Sequence, residues 1–229
     1  MVAMGEFLPI MVIGIVIALV PALALTIILV RGKGSLWKIF LFGWAGWLLA
    51  LVIRIIPVQL PQQLFAPQLE SEGMLLLLFL AYASVMAGIF EEGIRYFILK
   101  RRPKLMANTS SILSFGLGWG IGEAIIIYVP AIVSLPLLGS SVPTLLEILP
   151  GALERNLAII THLALTLIVI KGISKGKIYL VLAMTLHFLV NLVGVTTITL
   201  TGNAWFSELT LALAVGATVI VAYFVVKKG

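Results

Sequence analysis

The sequence predicts an all-α, polytopic membrane protein built as a seven-helix transmembrane bundle, and three observations carry that prediction. Of the 229 residues, 62% are hydrophobic and 10% charged, with a mean hydropathy of +1.21. Ordinary soluble domains are about 25% charged, and a globule of this size cannot hide so much apolar surface from water. The apolar residues gather into seven runs, 7–30, 36–56, 73–99, 109–129, 151–170, 178–195 and 207–226, each near the roughly 20 residues that cross a hydrocarbon layer of about 30 Å. The basic residues of the connections fall in alternate connections only.

Every span boundary is marked by Pro, Gly or charge. The first run follows no basic residue and exceeds the apolar core of a signal peptide, about 7–15 residues, so it reads as a retained helix. Arg31, Lys33 and Lys38 follow it, Lys100, Arg101, Arg102 and Lys104 follow the third, Lys171, Lys175 and Lys177 follow the fifth, and Lys227 with Lys228 close the chain. Because Lys and Arg are retained on the cytoplasmic side, these twelve of fifteen basic residues predict an N-terminus outside and a C-terminus inside. They also account for the formal charge of +6 as topogenic signals beside anionic headgroups, which excludes nucleic acid as a partner.

The outer connections 57–72 and 130–150 combine Pro with Leu and read as interfacial caps. Trp37, Tyr128, Tyr179 and Trp205 sit near span ends, as in an aromatic belt. No internal repeat, low-complexity tract or linker divides the chain, so 1–229 reads as a single integral membrane domain with its motifs in about 73–195. The predicted location is a cell membrane, crossed several times. Cysteine is absent, which excludes disulfides, thiolate metal sites and cysteine nucleophiles.

The remaining basic residues are Arg54, Arg95 and Arg155. Arg54, at the outer end of span two, reads as a snorkelling interfacial anchor. Arg95 and Arg155 lie within spans, as do Glu91, Glu92 and Glu123, while Glu154 reads as a solvated position near the outer end of span five. An ionisable group at a helix centre costs about 2.5–3.5 kcal/mol on insertion scales, so such residues mark functional positions. A rise of about 1.5 Å per residue places Glu91, His162 and His187 at one depth, roughly 14–15 Å from the inner boundary. Asn191 lies one turn beyond His187 on the same helix face. Glu123 and Arg155 fall in a second layer, roughly 21–24 Å from that boundary, where they can neutralise each other. Arg95 is i+4 from Glu91 and i+3 from Glu92, so it can pair with one and leave the other free. In span four, Gly116 with Gly120 and Gly118 with Gly122 form small-xxx-small pairs for close helix packing, which also bring Trp119 and Glu123 toward the polar cluster.

No Asp is present, so an aspartyl dyad is excluded; neither His belongs to an H-E-x-x-H helix, and span seven offers no Lys for a retinal Schiff base. Glutamate with histidine survives the elimination. A carboxylate in a dry site can activate water while His and Asn donors stabilise an oxyanion. Two His and one Glu, here His162, His187 and Glu91, can also hold Zn²⁺ with an open position.

Glu91-Glu92-Gly93-Ile94-Arg95-Tyr96, the stretch from Phe115 to Glu123, Glu154-Arg155 with His162, and His187-Phe-Leu-Val-Asn191 occur in an order that resembles the YhfC-type membrane peptidases, distant relatives of the CAAX prenyl endopeptidase and bacteriocin-immunity (Abi) group. The resemblance covers spans three to six. It implies an intramembrane endopeptidase, glutamic-type or metallopeptidase, acting on a membrane-associated protein or peptide. It further implies Glu91 as the base that activates water, His187 and Asn191 as oxyanion donors, and Glu92 with Arg95 as a supporting pair. The chain departs from the CAAX pattern in reading E-E-x-x-R rather than E-E-x-x-x-R, and in carrying Trp119 where that pattern has His. His162 is placed to fill that role from span five, which leaves Glu91 and Glu123 both open as the reacting carboxylate. The reading leans toward chemistry that requires no ion, with Zn²⁺ possible. Two alternatives stay open: a proton-coupled transporter or channel with a Glu/His relay, and a catalytically inactive immunity or binding protein.

Overall fold

The computed structural model describes residues 4–138 and 141–227; Lys228 of the last basic cluster lies outside them. The described residues are helical almost throughout: α1 (Met4–Val30), α2 (Gly34–Leu64), the short α3 (Ala66–Ser71), α4 (Gly73–Arg101), α5 (Thr109–Ser134), α6 (Leu145–Ser174), α7 (Ile178–Thr201) and α8 (Ala204–Lys227). Seven of these are long and apolar enough to cross a membrane. The protein is a multi-pass membrane protein, and in lipid a helix is the element that satisfies its own backbone.

Local chemistry sets several helix ends. Asn108 caps α5 by accepting the Ser111 N–H at 2.9 Å, and the Glu147 carboxylate accepts the Thr144 N–H at 2.6 Å where α6 begins. Gly202 ends α7 with φ +63°, a left-handed conformation that glycine adopts without a Cβ penalty.

The helices run further outward than the hydropathy boundaries. α2 passes through Pro57 and Pro61 to Leu64, α5 passes Pro130, and α6 begins five residues before Pro150, so most of the expected interfacial connections are helix extensions. Pro61 has no N–H to give to the Pro57 carbonyl four residues earlier. The Tyr82 hydroxyl donates to that carbonyl at 2.7 Å instead, so α4 supplies the missing bond. Trp37 and Trp205 are exposed as belt residues should be, whereas Tyr128 and Tyr179 pack partly buried against core clusters.

Helix α5 is the packing axis. A Cβ on Gly118 would lie 1.9 Å from the Phe40 carbonyl oxygen and one on Gly122 1.9 Å from Trp44, so this face presses on α2. A Cβ on Gly116 would lie 2.9 Å from Leu163 and one on Gly120 2.8 Å from Ile159, so the other face presses on α6. The glycines therefore let α5 sit backbone-close between two neighbours. Gly88 does the same for α4 on α7, where a Cβ would meet the Met184 carbonyl at 2.6 Å. These approaches fix the rotation of α4, α5, α6 and α7 and hence the direction of their polar side chains.

Candidate active site

Five helices direct charged and polar side chains to one buried cluster. Helix α4 brings Glu91, Glu92 and Arg95, which are 2%, 0% and 0% exposed; α5 brings Trp119 and Glu123, α6 brings Arg155 and His162, α7 brings His187 and Asn191, and α2 brings Arg54. The adjacent carboxylates are held separately. Glu92 accepts from Arg95 Nη1 at 2.5 Å and pairs through Oε1 with His187 Nδ1 at 2.7 Å. Glu91 accepts from Arg54 Nη1 at 2.6 Å and from the Trp119 indole N–H at 3.2 Å.

His162 joins what the sequence separates into two layers. Its Nδ1 lies 2.9 Å from Arg95 Nη2, and its Nε2 lies 2.6 Å from Glu123 Oε2. A guanidinium only donates, so Nδ1 accepts and Nε2 carries the hydrogen that goes to Glu123. Glu123 also accepts from Arg155 Nη1 at 3.2 Å, and Arg155 in turn pairs with Glu154. Three carboxylates, Glu91, Glu92 and Glu123, thus meet three guanidiniums, those of Arg54, Arg95 and Arg155. Removing charges from water costs several kcal/mol per ion; these pairings offset much of it, although Arg95 Nε is buried without a hydrogen-bond partner.

Two expectations change here. Arg54 is no interfacial anchor: its guanidinium reaches inward to Glu91, because α2 packs beside α4 and α5 with that face toward the cluster. Counted from Lys38, it lies roughly 24 Å from the inner boundary, the depth of Glu123 and Arg155, and that count was the available signal. Glu154 is part-exposed, yet its carboxylate pairs with Arg155 at the cavity wall instead of standing free in solvent. Trp119 does more than pack: besides donating to Glu91, its ring lies under Arg95, with Cζ 4.4 Å from the ring centroid. The indole contributes a donor that cannot ligate a metal.

The cluster forms the floor of a cavity of about 700 Å³, within the range of small-molecule and cofactor sites. Glu91, Glu123, Arg155, His162, His187 and Asn191 line it. Glu92 and Arg95 lie behind this wall and orient it. The two imidazoles stand edge to face with centroids 5.5 Å apart.

The donor set suits a divalent cation. One ligand atom from each of Glu91, His162 and His187 lies within 4.8 Å of the others, and all three residues are buried. His187 is prepared for this role: with Nδ1 held by Glu92, its Nε2 lone pair is free, the carboxylate–histidine arrangement that fixes the tautomer of metal ligands. His162 is prepared less fully: for Nε2 to ligate a cation, the hydrogen shared with Glu123 must move to Nδ1, which requires Arg95 Nη2 to give up its contact there.

Comparison with known families finds a match. The family model described as YhfC intramembrane metalloprotease matches residues 15–144. That stretch contains Arg54, Glu91, Glu92, Arg95, Trp119 and Glu123, and ends before Arg155, His162, His187 and Asn191. No curated protein matches the chain.

Proposed function

The chain belongs to the YhfC intramembrane metalloprotease family, and from that premise we propose that it hydrolyses a peptide bond of a membrane-associated protein at the Glu91, Glu123, His162 and His187 cluster. The observation that carries the reading is the meeting of two imidazoles and a carboxylate within 4.8 Å on a cavity floor inside the bundle. The expectation that no ion is required has no support beside a metalloprotease family and this donor set. Glu91, His162 and His187 would hold the ion, which when bound would polarise a water and the scissile carbonyl.

The protein groups then divide the remaining work. Glu123, 18% exposed and on the cavity wall, is the carboxylate left over for proton transfer and takes the role of general base. Glu92 keeps His187 in the Nδ1–H tautomer, and Arg95 holds Glu92 in place. Asn191, one turn from His187 on the cavity wall, supplies an amide donor toward a developing oxyanion. This reading moves the base from Glu91 to Glu123, because a carboxylate committed to an ion is a poor proton acceptor. A transmembrane proton relay is disfavoured: the ionisable chain ends against Leu99, Phe115, Leu165 and Ile168, all buried and apolar.

The test uses the reconstituted protein and a fluorogenic membrane-spanning peptide. A stringent chelator should stop cleavage and Zn²⁺ restore it. Glu123→Gln should lower turnover about 100-fold or more while still binding Zn²⁺, whereas Glu91→Gln should lose both. Turnover that survives chelation, or that survives Glu91→Gln, overturns the proposal.

A further inference from the structure

The cavity is hollow on one side of the cluster and sealed on the other. Its lining positions fall within 51–59 of α2, 80–91 of α4, 123–127 of α5, 147–162 of α6, 187–198 of α7 and 204–215 of α8. From the floor at Glu91, His162 and His187, these walls rise toward the helix ends joined by the connections after Leu64, Ser134 and Thr201. On the opposite side the helices close into the largest apolar cluster, where Leu99, Phe115, Leu165, Ile168 and Val169 are each 1% exposed or less. Such a layer admits neither water nor a peptide.

The sealed end carries the basic residues. Arg31, Lys33 and Lys38, the run from Lys100 to Lys104, and Lys171, Lys175 and Lys177 all sit at that end of the bundle. The connections at the hollow end contain no Lys or Arg. Retention of basic residues in the cytoplasm puts the sealed end inside.

We infer that the site is reached from the extracytoplasmic face, so that its substrates are membrane-protein segments presented on that side, and water and a divalent cation arrive by the same route. The walls fit this use. On α4 the lining positions Leu80, Ala83, Ser84, Ala87 and Glu91 recur at helical spacing, and the small side chains leave a path descending to the carboxylate. The word substrate rests on the peptidase reading; the direction of access does not.

The natural absence of cysteine makes the test direct, since any introduced thiol is the only one in the chain. Single cysteines are placed at Ala83, Ala158 and Val195 in the cavity, at Asn203 at the hollow end and at Ser35 at the sealed end. Each variant is exposed to a membrane-impermeant cationic methanethiosulfonate in right-side-out and in inside-out vesicles. The three cavity positions and Asn203→Cys should be modified at least ten times faster in right-side-out vesicles, and Ser35→Cys in inside-out vesicles. Cavity modification that follows Ser35→Cys overturns the access route. Modification of Asn203→Cys only in inside-out vesicles overturns the orientation, and cavity cysteines that react from neither side overturn the open chamber. None of these readouts needs proteolysis, so a failure of the peptidase reading, seen as turnover surviving Glu91→Gln, is told apart from a failure of this one.

Discussion

Arg54 and Glu91 bind each other across two helices: the guanidinium Nη1 donates to Oε1 at 2.6 Å, and this carboxylate is also one of the three groups able to hold a cation. The arginine therefore supplies the positive charge that balances Glu91 when no ion does. Arg54→Gln leaves Glu91 without that partner and should tighten Co²⁺ binding about tenfold, which corresponds to about 1.4 kcal/mol. Arg54→Lys should bind Co²⁺ as the native protein does. Titration of the purified protein, followed by cobalt absorption, measures both.

Trp119 holds Glu91 with its indole N–H and Arg95 with its ring. Trp119→Phe removes the donor and keeps a ring for the guanidinium. Turnover should fall about tenfold, the worth of one hydrogen bond to a charged group, while thermal unfolding in detergent changes little. Trp119→Ala should lose stability as well, by about 3–5 kcal/mol for a buried aromatic truncated to Ala.

Glu92 and Arg95 are wholly buried, and each is the other's charge partner. Breaking such a pair from one side costs about 3–5 kcal/mol because a buried charge is left unpaired. Glu92→Gln should therefore lower the unfolding midpoint sharply. The double variant Glu92→Gln with Arg95→Met should recover part of that loss, and an additive loss in the double variant would disprove the coupling.

Gly118 and Gly216 separate the two uses of glycine in these helices. A Cβ on Gly118 meets the Phe40 carbonyl at 1.9 Å, while one on Gly216 meets nothing within 4 Å. Gly118→Ala should destabilise the bundle by about 1–3 kcal/mol or more through overpacking. Gly216→Ala should stabilise α8 by up to about 1 kcal/mol of helix propensity. Unfolding in the same detergent compares them.

Hydropathy made the seven helices legible because lipid imposes a length on every span. It misplaced their outer ends, where Pro57, Pro61 and Pro130 look like stops and lie within helices. Tyr82, distant in sequence, completes the bonding near Pro61, and no local signal announces it. The shared depth of Glu91, His162 and His187 was legible because helical rise is constant. The reach of Arg54, the indole bond of Trp119 and the bridge that His162 makes between Arg95 and Glu123 were not. Depth leaves rotation about the helix axis unspecified.

The sequence by itself determined that this chain crosses a membrane seven times and carries Glu and His at a depth where ionisable groups are costly. Only the tertiary structure decided which carboxylate meets which guanidinium, which partner each imidazole nitrogen finds, and on which side of the cluster the bundle is hollow. The physical reason is that spans answer to the solvent, one residue at a time. The partners answer to helix rotation, which is set by contacts such as Gly118 on Phe40 and Gly88 on Met184, between residues far apart in the chain.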